Sequence, residues 1–339
     1  MVFAEPVRVG VIGTGNIGTA HATSLARTVS GSLVTVVHDA DASRAASLAA
    51  DLGARSVGSV EEVFGADDTD AVLIASPDGF HAQQLLDGLP AGKPVLCEKP
   101  LAVDEAEAVA VLDAEVALGK RVVQLGFMRR FDPGYAQLKA ELGPEGIGDP
   151  LIVHNIHRNT VAPYGLRTEE TLTNMVVHEF DANRWLLDEE LVSVLVLAGK
   201  PGPHTPAGER DPILVVLESE SGVLVEVEAF RHDQFGYEVT CRVTGSHGQA
   251  VMGDGSWVTR SKDFSRGVAI PELWLGRFDE AYRRQLQGWI DALRTGSTLP
   301  GANVWDGYAA AVIANRAIDS YRSGDRVAID LPTRPPLYR

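Results

Sequence analysis

Short apolar runs and amphipathic stretches alternate through the first third of the chain. Runs at 7–12, 33–38, 55–57, 71–75, 94–97 and 122–126 are rich in Val, Leu and Ile and predict strands. Several are apolar at consecutive positions, as strands of a parallel sheet covered on both faces must be. Between them, 16–29, 42–52, 81–89 and 103–118 carry apolar residues at helical spacing. Strand and helix in alternation predict a doubly wound parallel sheet of Rossmann type over residues 1–126.

The pattern changes near Phe127. A helix is expected around 135–142, then a loop at 143–150 rich in Gly, Pro and acidic residues. A strand at 151–157, a helix over 171–187 and strands at 193–198, 213–218, 223–230, 237–244 and 250–252 follow. In 223–230, Val223, Val225, Val227 and Ala229 alternate with Leu224, Glu226, Glu228 and Phe230, which describes a strand with one open face. Two helices, 278–294 and 306–323, close the chain. The fold class expected is α/β: the parallel sheet, then a domain over 127–339 built on a large, open, mostly antiparallel sheet. A broad uncovered face predicts self-association, as a homodimer or homotetramer.

Composition narrows the function. The chain has 339 residues, 45% hydrophobic and 22% charged, which is ordinary for a globular protein. Its formal net charge of -16 disfavours nucleic acid and anionic membrane surfaces. No apolar run reaches the roughly 18 residues of a membrane span. A strand so near the start leaves no space for a signal peptide, so the expected location is the cytoplasm. Cys97 and Cys241 form no metal or disulfide pattern, and no metal site is expected.

Candidate chemistry begins at Gly13-Thr14-Gly15-Asn16-Ile17-Gly18, between a predicted strand and a predicted helix. Gly13 permits the tight turn, Gly15 lets the backbone approach a pyrophosphate, and Gly18 lets helix and strand pack closely. Asn16 and Ile17 open the helix, whose unpaired N–H groups and dipole attract phosphate. Asp39 follows about twenty residues on, where a carboxylate accepts hydrogen bonds from the adenosine ribose. A carboxylate there repels a 2′-phosphate, which favours NAD over NADP, although Arg44 stands close enough in sequence to reach back.

Further motifs are Ser76-Pro77 with His81, Glu98-Lys99-Pro100, Gly126 to Asp132, and His178-Glu179-Phe180-Asp181. Lys99 follows a buried strand, at the sheet edge where such folds bind ligands, and its ammonium can stabilise a developing alkoxide. His178 is the candidate general base, since neutral imidazole takes a proton near neutral pH. Asn174, His178 and Asp181 are spaced to share one face of a continuous helix.

With these motifs the chain resembles, nearly end to end, the glucose–fructose oxidoreductase, inositol dehydrogenase and rhizopine-catabolism (Gfo/Idh/MocA) family, and within it the myo-inositol 2-dehydrogenases most. The resemblance implies NAD-dependent oxidation of a secondary hydroxyl of a cyclic polyol, with a small polyhydroxylated substrate. It implies cofactor contacts at Ser76, Pro77, His81, Glu98 and Lys99. Substrate contacts carried over are Lys99, Arg129, His157, Asn159, Asn174, His178, Asp181 and Tyr237. One position departs from the pattern: the family has Asp where this chain has Asn174, which can hold a hydroxyl but cannot accept a proton. The same motifs also admit a sugar dehydrogenase or ketose reductase, an NAD-dependent glycoside hydrolase, or an NAD sensor without turnover.

Overall fold

The computed structural model describes residues 6–161, 167–253 and 258–339. The chain divides into two compact units. One comprises residues up to Met128 with Ala281–Ala311 and Pro332–Arg339; the other comprises Arg129–Glu280 and Val312–Leu331. The segment Ala281–Ala311, far along the sequence, thus groups with the N-terminal unit.

In the first unit, β1 (Val7–Ile12), β2 (Ser32–His38), β3 (Arg55–Ser56), β4 (Ala71–Ile74), β5 (Val95–Cys97) and β6 (Val123–Leu125) form a six-stranded sheet in the order β3-β2-β1-β4-β5-β6. All five pairings are parallel. The crossovers contain α1 (Asn16–Arg27), α2 (Ala42–Leu52), α3 (Val60–Gly65), α4 (His81–Gly88) and α5 (Glu105–Leu118). Expected and observed elements agree closely, with two differences. Helix α3 was absent from the hydrophobic pattern because six residues are too few to show a period; Ser59 caps it by accepting from the Glu62 N–H. Helix α5 starts two residues late because Asp104 caps it, accepting from the Ala106 N–H. The core gathers Val7, Val9, Val11, Val34, Leu73 and Leu96 of the sheet with Leu286, Trp289 and Ile290 of the later segment.

The second unit holds α6 (Pro133–Ala140), β7 (Pro150–Arg158), a short α7 (Thr168–Glu170), α8 (Val177–Leu187), β8 (Leu191–Ala198), β9 (Ile213–Ser219), β10 (Leu224–Phe230), β11 (Glu238–Gly245) and β12 (Gln249–Met252). An exposed hairpin of β13 (Thr259–Lys262) and β14 (Ser265–Val268) follows, then α9 (Trp274–Thr295), α10 (Val304–Ser323) and β15 (Val327–Ala328). The seven-stranded sheet runs β12-β11-β7-β10-β9-β8-β15, antiparallel except where β7 and β10 run parallel. Its alternation is as the pattern predicts: Val225, Val227 and Ala229 are fully buried while Leu224 is 43% exposed. The outward face is not continuously apolar. It carries the ion pairs His154–Glu226, Arg158–Glu228 and Arg158–Glu238 among Ile152 and Leu224.

The single helix expected over 171–187 is not formed. Thr171–Met175 is a π-helical turn, in which the Val176 N–H reaches the Thr171 carbonyl, and α8 begins only at Val177. Local side-chain chemistry favours the break. The Thr171 and Thr173 hydroxyls donate back to the Arg167 and Glu170 carbonyls and compete with the regular ladder. Asn174 therefore lies in the π turn and His178 in the first turn of α8, so the two stand on different local helical geometries. Inserted π turns recur at functional sites.

Candidate active site

Sheet register assembles the first half of the site. Across the parallel sheet, His38 pairs with Ile12, Ile12 with Ile74, Ile74 with Cys97, and Cys97 with Leu125. Five strands thus reach their carboxyl ends in one row. The next residues are Asp39, Gly13, Ala75, Glu98 and Gly126, so the motifs scattered over 13–126 emerge along one edge. Ligands of doubly wound folds bind at this edge, at the switch between β1 and β4.

The glycines each serve a distinct need. Gly13 has φ +91° and packs so tightly that an added Cβ would lie 2.5 Å from the Ala75 carbonyl. At Gly18 a Cβ would lie 2.1 Å from the Gly13 carbonyl oxygen, which seats α1 on the turn. At Gly15 a Cβ would meet nothing within 4 Å. Gly15 and Asn16 are exposed, Ile17 is half-buried, and no side chain caps α1. An open glycine before an uncapped helix start is the cradle a pyrophosphate requires, and these residues fit a dinucleotide.

Asp39, just after β2, is nearly buried. Its Oδ2 accepts from the Thr14 N–H at 2.7 Å and the Thr14 hydroxyl at 2.8 Å; its Oδ1 accepts from the Asp41 N–H and from Arg44 Nη2 at 2.9 Å. Burial alone would raise its pKa, but these donors outweigh it and hold the carboxyl below the ordinary range.

Glu98 and Lys99 stand at the end of β5. Glu98 is 5% exposed. Its Oε1 lies 2.8 Å from His21 Nε2 on α1, and its Oε2 accepts from the Lys99 N–H at 3.2 Å. Gly126 leaves room for this carboxylate, since a Cβ there would lie 2.7 Å from Glu98 Cδ. The His21 ring packs against Tyr282, with centroids 5.3 Å apart. Burial pushes the neighbouring Cys97 thiol far up, so it stays neutral beside the lysine.

Ser76 is half-buried and donates to Gln84, while Pro77 is exposed beside it. His81, expected to touch the cofactor, is 1% exposed; its two ring nitrogens lie 2.8 Å from the Pro100 and Ser76 carbonyl oxygens. It braces two site turns against each other through the backbone.

The second unit gathers a different set. Arg129 is fully buried, and its Nη1 donates to Glu179 Oε1. His157, on β7, has Nδ1 at 3.0 Å from Arg129 Nη2 and at 3.0–3.1 Å from the two Glu179 oxygens. Its ring centroid lies 6.5 Å from that of His178 and 5.9 Å, edge-on, from Tyr237. Burial is the largest influence on Glu179 and would raise its pKa, but Arg129 and His157 outweigh it and bring the carboxyl below its ordinary value. Burial also moves the Tyr237 hydroxyl upward, so it remains a neutral donor.

Asn159 follows β7 and is half-buried, donating through Nδ2 to Met175 Sδ in the π turn that carries Asn174. Asp181 takes part in a further ion pair. It is fully buried and takes Arg130 in a two-pronged ion pair, Nε at 3.0 Å and Nη2 at 2.5 Å. His21 was not singled out from the sequence; Glu179 and Gly126 were visible only as members of the His178 and Gly126 to Asp132 motifs. Among the described residues, no three His, Cys, Asp or Glu side chains cluster to hold a metal, and no helix is long and apolar enough to cross a membrane.

The glycine cradle, the acidic residue at the end of β2 and the sheet order define a nicotinamide-dinucleotide-binding oxidoreductase fold. Family comparison agrees over both units. Residues 7–127 match the model of an oxidoreductase family with NAD-binding Rossmann fold, and residues 135–251 match the Gfo/Idh/MocA C-terminal domain. The chain is 41% identical over 332 residues to inositol 2-dehydrogenase 3 of Saccharopolyspora erythraea, covering 98% of both chains. It is 42% identical over 335 residues to the inositol 2-dehydrogenase of Acidiphilium cryptum, covering 98% of this chain and 99% of that one. Among solved structures, myo-inositol dehydrogenase of Lactobacillus casei in complex with NAD(H) and myo-inositol superposes with a TM-score of 0.95 at 32% identity, covering 100% of both chains. The chain belongs to the Gfo/Idh/MocA family and is an NAD-dependent oxidoreductase.

Proposed function

We propose that this enzyme oxidises a secondary ring hydroxyl of an inositol-like cyclic polyol to a ketone. The observation that carries this reading is the full-length superposition on a protein crystallised with NAD(H) and myo-inositol. The polar set His157, His178 and Tyr237 in the second unit supports it, since a polyol offers a hydroxyl to each of several polar groups.

His178 acts as general base and takes the hydroxyl proton. The Lys99 ammonium stabilises the negative charge that develops on that oxygen. NAD, when bound, supplies the hydride acceptor. Glu98 holds the backbone of Lys99, and His21 holds Glu98. Asn174 and Asn159, joined through Met175, orient neighbouring hydroxyls. Arg129 and Asp181 are each committed to a buried ion pair, so we assign them to holding His157 and Arg130 in place. Assembly as a homodimer or homotetramer through the outward sheet face belongs to the same proposal, and light scattering at micromolar concentration tests it.

The deciding experiment offers inositols, aldoses and glycosides with NAD or NADP and follows reduced-cofactor absorbance. Net NADH formation with inositols supports the reading. Turnover of aldoses alone, or glycoside cleavage without net NADH, would replace it.

A further inference from the structure

The Nδ1 atom of His157 sits between a donor and an acceptor. Arg129 Nη2 is 3.0 Å away, and the two carboxylate oxygens of Glu179 are 3.0 and 3.1 Å away. A neutral imidazole carries its proton on one nitrogen only, so these neighbours decide which. If Nδ1 were bare, its lone pair would face two oxygens of a fully buried carboxylate. If Nδ1 carries the proton, it donates to that carboxylate and opposes a single guanidinium nitrogen. Arg129 has other acceptors in Glu179 Oε1 and the Tyr135 hydroxyl. Glu179 Oε2 is served by His157. A charged acceptor left unmatched in the interior costs more than one guanidinium N–H lacking a partner, and Nη1 of that guanidinium still donates to Glu179 and Tyr135.

We infer that Glu179 is a positioning residue, which holds His157 as the Nδ1-protonated tautomer and so makes Nε2 a hydrogen-bond acceptor toward a substrate hydroxyl. The assignment of that hydroxyl rests on the polyol reading above; the tautomer does not. Arg129 keeps Glu179 ionised and fixes its orientation, so the ion pair acts on the substrate side through the imidazole. A His157 in this state selects a hydroxyl that donates at its position. It disfavours a carbonyl or ether oxygen there, which would face the Nε2 lone pair.

Nitrogen-15 NMR of histidine-labelled protein tests the assignment directly, with the His157→Asn spectrum identifying the resonance. The wild-type protein should show His157 protonated at Nδ1 and bare at Nε2. Protonation at Nε2, alone or together with Nδ1, would overturn the inference. In Glu179→Gln, the amide carbonyl can still accept from Arg129 while its NH2 donates to Nδ1, so the proton should move to Nε2. An unmoved tautomer in a folded Glu179→Gln protein also overturns it. Kinetically, Glu179→Gln should raise KM for the polyol about tenfold, the scale of one misdirected hydrogen bond, and leave KM for NAD unchanged. Should the wild-type enzyme fail to oxidise any polyol, the tautomer measurement still decides the role of Glu179, and only the substrate reading falls.

Discussion

His21 Nε2 lies 2.8 Å from Glu98 Oε1, with both side chains nearly sealed from solvent. The pair ties the helix that follows the glycine turn to the residue preceding Lys99. Moving Glu98 moves the lysine backbone, since the same carboxylate accepts from its N–H. His21→Ala should lower kcat by up to about 100-fold, the scale of a small displacement at the reacting centre, with little change in NAD affinity. His21→Gln, which retains a donor, should recover part of the loss. Equal loss in both variants, with weakened NAD binding, would show that His21 serves only the stability of α1.

Lys99→Ala should lower kcat by about 100- to 1000-fold if the ammonium stabilises the developing alkoxide. NAD binding, followed by protein fluorescence quenching, should persist. Activity near the wild-type level would remove Lys99 from the chemistry.

At Asn174 the expectation is a small effect. This side chain stands in the π turn and can orient a hydroxyl without taking its proton. Asn174→Asp should change kcat/KM for the natural substrate by less than about tenfold, under 1.4 kcal/mol. A much larger gain on myo-inositol, which the family's Asp would favour, would mean that the natural substrate is another polyol.

We propose that Asp39 and Arg44, ion-paired at 2.9 Å, set cofactor choice together. In Asp39→Ala the carboxylate that repels a 2′-phosphate is gone, and Arg44 loses its ion pair with that residue. The ratio of kcat/KM for NAD to that for NADP should fall by about tenfold or more. An unchanged ratio would place cofactor discrimination outside this pair.

Glu115 gives a pH signature in stability. It is fully buried, accepts from the Val122 and Val123 N–H groups, and takes the Tyr338 hydroxyl at 2.6 Å. Burial raises its pKa, and these hydrogen bonds only partly oppose the shift. A carboxyl whose folded value exceeds its unfolded value holds its proton more tightly when folded. Its contribution is fully present below the unfolded value and is lost as pH rises through the folded one. Urea denaturation of Glu115→Gln across that window should show a flatter stability profile than wild type; matching profiles would assign the dependence to another group. Tyr338→Phe should cost about 1–2 kcal/mol by removing a donor from a buried carboxyl.

The first unit was largely legible because its signals are local. A glycine turn, a strand ending in Asp39 and the Glu98-Lys99-Pro100 turn each declare themselves within a few residues. The second unit was less so. Asn174, His178 and Asp181 have ideal helical spacing, yet threonine hydroxyls open a π turn before His178, and Arg130 claims Asp181. Arg129 and Arg130 are indistinguishable as neighbours in sequence; burial directs one to Glu179 and the other to Asp181.

The sequence by itself determined the elements, the dinucleotide cradle and the chemical types available, because periodicity and backbone requirements act over short stretches. Tertiary structure decided which of those residues meet. Level strand ends bring Gly13, Asp39, Glu98 and Gly126 to one edge, and His21 reaches Glu98 across 77 positions. Arg129 reaches Glu179 across 50. Separations of that size carry no periodic signature. They are fixed by sheet register and by the need of a buried charge for a partner, and both act only once the chain is folded.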